Sequence, residues 1–528
     1  MESSVIQKTI VALVLVVLAF IAGSMAAESR TDSLFFVGGV AALAFVIMLG
    51  RRCWWLIFLA PPLLSLVPLG VVRRMPVGFA VGGAVMIYWV VLTLIGAVRM
   101  RWRSLAAMDL IVVAVLVYFV CSYVRHPVIM GYFAGFDDQE VGGQEYLWCI
   151  CACVYYASLS LIPCSRPELE RVLRCSLILV VLMSIMSTMK GMSDTSAVEI
   201  AQNAVSTRFG LFVGIGTVMV MLIVCRYRII ETLFSPLKLG VLLVAFVLII
   251  LGGTRGALLS LVCTVGVVAF IRREVIVLSV LAALSYGSVL LMSSTGTIKE
   301  LPFGIQRSLS IIPGVEVERA VEREVSHSSS WRVVMWKWAL DPRTGYIRDY
   351  VWGDGFSVDM DAVARSKRAQ YRGESDDPQL HKRFARTGTW HSGPITVIHR
   401  LGIVGLVMLV LLMLCGLVVI CRACGAFQGQ KIQFYYLYFL APLGGSVAHF
   451  CLSAGTIGGV FGMMTYFALG KVVYCMARDE GLLKPLFSRK EYVPLVQRVP
   501  AGAQPMLVQA KGPQESSWDA SDAGRDGM

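Results

Sequence analysis

The chain reads as a series of apolar runs of about 17 to 25 residues, separated by short polar turns, and each run is long enough to cross a bilayer as one helix. This pattern predicts an all-α polytopic membrane protein with roughly 12–14 transmembrane helices. The first run follows a lysine and ends in small residues, so it is a cleaved signal peptide or, as the many later runs favour, an uncleaved helix. The apolar runs are 5–26, 33–50, 53–72, 76–97, 107–125, 145–163, 173–190, 208–225, 238–252, 256–271, 274–293, 393–420, 433–452 and 456–476.

The apolar pattern stops over one long polar segment and again near the C-terminal end. It predicts transmembrane helices that carry the arginine motifs at 1–293, a large, partly helical external segment at 294–392, further transmembrane helices at 393–480, and a disordered cytoplasmic tail at 481–528. Inside the external segment, 328–340 has the spacing of an amphipathic helix. Its apolar face either packs on the outer ends of the membrane helices or contributes to a substrate groove. That face comprises Trp331, Val334, Met335, Trp338 and Ala339.

Short clusters of arginine and lysine mark the turns expected on the cytoplasmic side, because positive residues are retained there during insertion. Alternating the spans then places 126–144, 191–207 and the long polar segment outside. Arg73 and Arg74 conflict with this order if 53–72 is a span, so the number of spans between 50 and 76 stays open. The clusters are Arg99, Arg101 and Arg103; Arg166, Arg171 and Arg174; Arg226 and Arg228; Arg272 and Arg273; and Arg422 with Lys431.

Composition supports a chain that uses the bilayer as its solvent. Of its 528 residues, 57% are hydrophobic and only 15% are charged, which is too few to keep a soluble domain in solution. The net charge of +13 resides largely in the helix-end clusters, so it indicates topology and not nucleic-acid binding. None of the 14 cysteines falls in the external segment, which argues against a disulfide framework. Cys421 and Cys424 form a CxxC pair without the second pair that a zinc site needs.

Two arginines at the outer ends of apolar runs are candidates for binding an anion. Arg255 lies in Leu251-Gly-Gly-Thr-Arg-Gly256, where the glycines allow a close approach of backbone and ligand. Arg208, in Ser206-Thr-Arg-Phe-Gly210, opens an earlier span and should lie at a similar depth on the same side. Two guanidinium groups at one level suit a diphosphate, although each arginine alone is also consistent with a side chain that reaches the interface.

His391 is the strongest candidate base. It lies in Thr387-Gly-Thr-Trp-His-Ser-Gly-Pro394, which leads from the external segment into the first turn of the next span. Ser392 or Gly393 can cap that helix, and Pro394 suits its first turn. The positive end of the helix disfavours an imidazolium, which keeps His391 neutral and able to accept a proton. A histidine with a purely structural role is the alternative.

Four further residues are candidates for binding substrate. His399 and Arg400 follow His391 by about two helical turns, so they either extend the polar site inward or form a buried contact between helices. Asp354, in the Trp352-Gly-Asp-Gly-Phe356 turn, can orient a base or bind a sugar hydroxyl. Trp352 can stack on a pyranose. An ordinary Asp-Gly turn is the alternative for this motif.

The order and spacing of these motifs resemble the O-antigen ligase and polymerase superfamily. The resemblance rests on Gly252-Gly-Thr-Arg-Gly-Ala-Leu-Leu-Ser260, Ser330-Trp-Arg-Val-Val-Met-Trp336, Val351-Trp-Gly-Asp-Gly-Phe356, His391, and Ile398-His-Arg-Leu-Gly-Ile-Val-Gly405. It extends over about 208–410, and the chain departs from the family by carrying Thr254 where a serine is usual.

The resemblance implies an enzyme of the bacterial inner membrane that transfers a glycan from undecaprenyl diphosphate at the periplasmic face, without a metal, a nucleotide sugar or another cofactor. Carried over by position, Arg208 and Arg255 would neutralise the leaving diphosphate, and His391 would deprotonate the acceptor hydroxyl. Arg332, within the second motif, would bind substrate. A single displacement would invert the anomeric carbon.

The sequence leaves three classes of function open. A ligase that transfers the glycan to a lipid A core or a similar acceptor is favoured slightly over a polymerase. The choice is nearly even, because the two share these motifs and differ in the acceptor. A transporter of the lipid-linked glycan is the second class, although the chain has a single external segment and no internal repeat. The third is a sensor or structural membrane protein, in which the arginines only anchor helix ends.

Overall fold

The computed structural model describes residues 49–59, 77–94, 96, 103–127, 143–162, 164–194, 210–251, 255–310, 312–356, 390–454 and 457–483. Across these ranges the chain is built from helices joined by short turns, without a β-strand, which confirms the all-α class. The predicted span 5–26, most of 33–50 and 53–72, and the predicted tail from 484 onward lie outside the described residues.

The α-helices are α1 Val77–Leu94, α2 Ala106–Arg125, α3 Gly143–Leu161, α4 Arg166–Asp194, α5 Gly210–Arg226, α6 Ile229–Leu233, α7 Pro236–Leu251, α8 Arg255–Arg272, α9 Val275–Ser294, α10 Phe303–Leu309, α11 Arg319–Leu340, α12 Gly393–Ala426, α13 Gln433–Leu440, α14 Pro442–His449 and α15 Ile457–Asp479. Short 3-10 helices occur at Gly50–Trp55, Thr297–Glu300 and Pro342–Thr344, and a π-helical turn occurs at Phe450–Ala454.

Six of the described helices, α2, α4, α8, α9, α12 and α15, are long and apolar enough to cross a membrane. They correspond to six of the predicted spans, and the shorter apolar helices α1, α3, α5 and α7 fall on four more. α9 shows why such a helix belongs in a membrane, because its apolar side chains Ile276 and Leu284 remain 80% and 64% exposed. A helix that is apolar on all sides and is not covered by protein is stable only in lipid.

Two predicted elements differ in extent from the observed ones. The span predicted at 433–452 is divided into α13, α14 and the π-helical turn, because Pro442 has no N–H to continue the helical hydrogen bonds past Ala441. The amphipathic helix predicted at 328–340 begins earlier, at Arg319, and forms α11.

α8 and α12 begin at the same end of the bundle. α14 runs antiparallel to α8, because Gly444 lies against Val267 while Gly445, one residue later, lies against Ser260. The approach is close: a Cβ on Gly445 would be 2.4 Å from the carbonyl oxygen of Ser260. Since α13 and α14 follow the turn at the end of α12 and run back beside it, α8 and α12 are parallel.

The opposite end of the bundle, here called the arginine end, gathers several of the clusters predicted to be cytoplasmic. Arg272 donates to the carbonyl oxygens of Val224, at 2.8 Å, and of Cys225 and Tyr227. It therefore satisfies the open carbonyls at the end of α5. Arg166 forms an ion pair with Glu480 at 2.8 Å.

A buried ion pair lies inside the bundle. Lys471 Nζ is 2.6 Å from Asp109 Oδ1, and the lysine side chain is fully buried. The Tyr156 hydroxyl donates to the same carboxylate oxygen at 2.7 Å, and the Leu105 N–H donates to the other at 2.9 Å. The carboxylate is thus well satisfied, and it links α2, α3 and α15.

Candidate functional site

The starts of α8 and α12 meet at Phe450. A Cβ on Gly393, the first residue of α12, would lie 2.4 Å from the Phe450 ring. Phe450 also lines a cavity together with Ala257, two residues after Arg255. Each helix N-terminus carries about half a positive charge, so two such ends and the partly buried Arg255 make this region suitable for an anionic group.

The cavity has a volume of about 440 Å³ and lies between α5, α8, α14 and α15. Its lining is mostly apolar, with a few polar side chains among the apolar ones. The polar residues are Thr217, Ser260, Thr264, Ser446 and His449, and the larger apolar ones are Met221, Leu261, Phe450 and Met463. Sequence reasoning missed this cavity, because its walls come from four separate helices. The π-helical turn that follows His449 is a local signal, since such turns are frequent at functional sites.

His391 occupies a strained position just before α12. Its φ of 48° is unusual for a residue other than glycine. Ser392 stands at the capping position, and Pro394 lies in the first turn as predicted. Burial and the nearby positive charge of Arg332 lower the pKa of His391 below its ordinary value of 6.5. The imidazole is therefore neutral near pH 7 and can accept a proton.

The indole of Trp390 fixes the backbone next to His391. Trp390 is fully buried and packs against Met335 and Ala339 on the apolar face of α11. Trp336 Nε1 donates to the Trp390 carbonyl oxygen at 2.8 Å. α11 therefore covers the membrane helices at the end opposite the arginine end, which is the packing role considered for this face. Val334, predicted to share the face, is 40% exposed.

His399 and Asp354 continue this network inward. Trp390 Nε1 donates to His399 Nδ1 at 3.1 Å, which leaves His399 Nε2 as the protonated nitrogen. That atom lies 3.5 Å from Asp354 Oδ2. Asp354 also accepts the N–H groups of Arg348 and Asp349, each at 2.9 Å. Asp354 thus orients His399 and its own turn, and not the imidazole of His391.

The turn at 349–355 docks into a break in α12, and this contact is here called the seam. Gly402 interrupts the helix with φ 67° and ψ −177°. The seam replaces the missing helical bonds: Asp354 and Gly355 donate to the carbonyls of His399 and Arg400, at 2.8 and 3.0 Å. Ile403 N–H donates to Tyr350 in return, at 2.8 Å. The motif is therefore more than an isolated turn, because it completes a transmembrane helix.

Arg400 belongs to the same seam. Its guanidinium, 4% exposed, donates to the Gly355 carbonyl at 3.1 Å and lies 5.9 Å above the Phe356 ring. His399 and Arg400 are therefore buried in a contact between α12 and the 349–355 turn, whereas the sequence suggested a contact between helices as the alternative, and their role in substrate binding stays a prediction. The expectation that His399 shares a helical face with His391 does not apply, because His391 precedes the first residue of α12.

Trp352 belongs to the turn that forms the seam and is 47% exposed. Its ring stacks on Tyr118, with centroids 6.3 Å apart, and Arg125 lies 5.7 Å from its centroid. Arg125 also forms an ion pair with Asp349 at 3.0 Å. The indole thus has two partners within the protein and is still 47% exposed, and stacking on a sugar stays a prediction.

The structure separates the predicted residues into two groups. His391 and Arg332 lie together near the start of α12, and Arg255 stands at the start of the parallel helix α8. Asp354, His399 and Arg400 belong to the seam. Arg208 lies outside the described residues. Within the described ranges, no group of three or more His, Cys, Asp or Glu side chains could hold a metal ion.

Comparison with known proteins identifies one region of the chain. A family model described as O-antigen ligase matches residues 239–410, which run from α7 through α8 and α11 to the first half of α12. The match therefore includes Arg255, Arg332, His391 and the seam. No curated protein matches the chain.

Proposed function

We propose that this multi-pass membrane protein, whose residues 239–410 match the family model described as O-antigen ligase, transfers a glycan from undecaprenyl diphosphate to an acceptor hydroxyl at the periplasmic face of a bacterial inner membrane. One observation carries the proposal. A partly buried histidine with a lowered pKa stands beside Arg332, at the same end of the bundle as the start of α8 and Arg255.

His391 would act as the general base. Its neutral imidazole removes the proton of the acceptor hydroxyl while the oxygen attacks the anomeric carbon of the donor sugar. The bond between that carbon and the diphosphate oxygen breaks, and the electron pair leaves with the diphosphate. One displacement inverts the anomeric centre, and the proton remains on His391 until product release.

Arg255 and the N-terminus of α8 would stabilise the leaving diphosphate. The departing group gains negative charge in the transition state, and a guanidinium with a helix end offers fixed positive charge there. Removal of one such donor typically lowers turnover by about 100- to 1,000-fold. The reaction in this proposal needs neither a metal ion nor another cofactor.

The cavity between α5, α8, α14 and α15 suits the lipid part of the donor. It starts near Arg255 and is lined mostly by apolar side chains inside the membrane-spanning region. An isoprenoid chain could enter it while the diphosphate stays at the helix end. Arg332 and the exposed face of Trp352 would contact sugar, with ligase-type transfer to a lipid A core or a similar acceptor as the preferred reaction.

The test is transfer in vitro with purified full-length protein, a labelled undecaprenyl-diphosphate glycan and a set of acceptors, with and without a chelator. A single shifted acceptor band supports a ligase, and a ladder of products assigns the chain to the polymerases. Arg255→Gln should lower the rate about 100-fold or more, whereas Arg319→Gln, at the exposed first residue of α11, should not. Absence of covalent product with every acceptor would overturn the proposal in favour of transport.

A further inference from the structure

A second cavity, of about 360 Å³ and with a polar lining, lies at the arginine end of the bundle. Four cations from three parts of the chain line it: Arg226 at the end of α5, Arg228 just beyond it, Arg272 at the end of α8, and Lys431 in the turn after α12. Retention of positive charge on one side of a membrane requires basic residues at helix ends. It does not require them to converge on one cavity.

The positive charge of this cavity is incompletely compensated. Among the described residues, none of these four cations forms an ion pair with a carboxylate. Arg272 donates to neutral backbone carbonyls, so its full charge remains. Glu231 is the one carboxylate among the lining residues, and Glu274 acts on Arg272 from the start of α9. After these two carboxylates and about half a negative charge from each of two helix C-termini are counted, roughly one positive charge remains in excess.

The position of the cavity indicates what the anion is. Arg226 and Arg272 end two apolar helices, so the cavity lies where the hydrocarbon core gives way to the headgroup layer. Basic pockets between helices at this level bind phospholipid headgroups. Gln430 and Gln433 add amide donors to the lining, and the Phe434 ring lies 5.7 Å from the Arg226 guanidinium.

We propose that this cavity binds the phosphate of an anionic phospholipid, such as phosphatidylglycerol, from the membrane leaflet on the arginine side. The bound phosphate ties the ends of α5 and α8 to the turn that follows α12. The same two helices line the larger cavity at the opposite end, so the lipid would also hold the walls of that cavity together. The binding itself does not depend on the proposed transfer activity.

The test compares full-length protein in nanodiscs of phosphatidylcholine alone and of phosphatidylcholine with phosphatidylglycerol. Phosphatidylglycerol should raise the melting temperature of the wild-type protein and should be retained by it in native mass spectrometry. Arg228→Gln with Lys431→Gln should remove more than half of that shift. Both side chains are exposed. Arg228 is the N-cap residue of the short helix α6, but the capping bonds use its backbone N–H and carbonyl, which glutamine keeps, so the fold is preserved.

The matched control is Arg319→Gln with Arg323→Gln, which removes the same charge from exposed positions on α11 and should keep the full shift. An equal shift in the Arg228/Lys431 variant, or no shift in the wild type, would overturn the proposal. Inorganic phosphate added to phosphatidylcholine nanodiscs provides the last arm. A shift as large as that of phosphatidylglycerol would assign the cavity to a free anion and overturn the lipid assignment.

Discussion

The external segment meets α12 at two places, and polar side chains have different tasks in each. At the seam, Asp354 and Arg400 direct their hydrogen bonds to backbone groups around the break at Gly402. Just before the first turn of α12, the imidazole of His391 is only partly buried and lies near Arg332 of α11. The seam therefore stabilises the fold, and the start of α12 carries the side chain suited to chemistry, His391.

The two places differ in whether their polar side chains are already used in hydrogen bonds within the protein. A charged side chain inside a membrane bundle is costly, and at the seam this cost is offset by fixed hydrogen bonds to the backbone of the docked turn. These bonds leave little capacity for a substrate. His391 is strained at φ 48° instead, and strain of that kind persists where surrounding contacts such as the buried Trp390 hold it.

The largest effect on stability is expected at the break itself. Gly402→Ala places a methyl 2.1 Å from the Val351 carbonyl oxygen, at a φ of 67° that an alanine rarely adopts. Strain and overpacking together should cost about 2–6 kcal/mol and undock the turn, as measured by the melting temperature and by proteolysis of the external segment. Gly425→Ala is the control in the same helix, because nothing lies within 4 Å of its added Cβ, and it should be neutral or stabilising.

A smaller loss is expected from Asp354→Asn. The amide keeps one acceptor oxygen but turns an NH₂ group toward an N–H, so one of the two backbone bonds at 2.9 Å is lost. The cost should be about 1–3 kcal/mol in stability, with turnover per folded molecule changed much less than in a His391 variant. Asp341→Asn removes a carboxylate from an exposed cap, where asparagine serves as well, and should leave the melting temperature unchanged. Equal melting temperatures for the two variants would contradict the structural role of Asp354.

The smallest expected effect is a shift in pH dependence. A base works only when unprotonated, so transfer should fall as the pH drops through the pKa of His391, which lies below its ordinary value. Arg332→Gln removes a nearby positive charge, raises that pKa and should move the acidic limb of kcat to higher pH. Arg323→Gln, nine residues earlier and on the opposite face of α11, should leave the limb in place. An unchanged acidic limb in the Arg332→Gln variant would show that the charge of Arg332 does not lower the pKa of His391.

Much of the architecture could be predicted from the hydrophobic pattern. Ten described helices fall on predicted spans, because the length and composition of a membrane helix are set by the bilayer. The first turn of α12 was also predictable, since Ser392 and Pro394 have strong positional preferences. The convergence of Arg226, Arg272 and Lys431 on one cavity was not, because it depends on how helices distant in sequence pack.

The division between scaffold and site could not be predicted either. Spacing suggested that His399 would share a face with His391, but that holds only if both lie in one continuous helix. The seam depends on a long-range pairing between 349–355 and 399–404, which leaves no periodic signal in the sequence. Gly353, Gly355 and Gly402 were its local marks, and a glycine in an apolar run is equally consistent with close packing between two regular helices.

The role of His391 as the base is best tested by the kinetics of His391→Gln, with the melting temperature determined on the same preparation. We expect a melting temperature close to that of the wild type, because the side chain is only partly buried, and a loss of glycan transfer of about 100- to 10,000-fold. Transfer within a few fold of the wild type, by a variant that remains folded, would show that the base lies elsewhere.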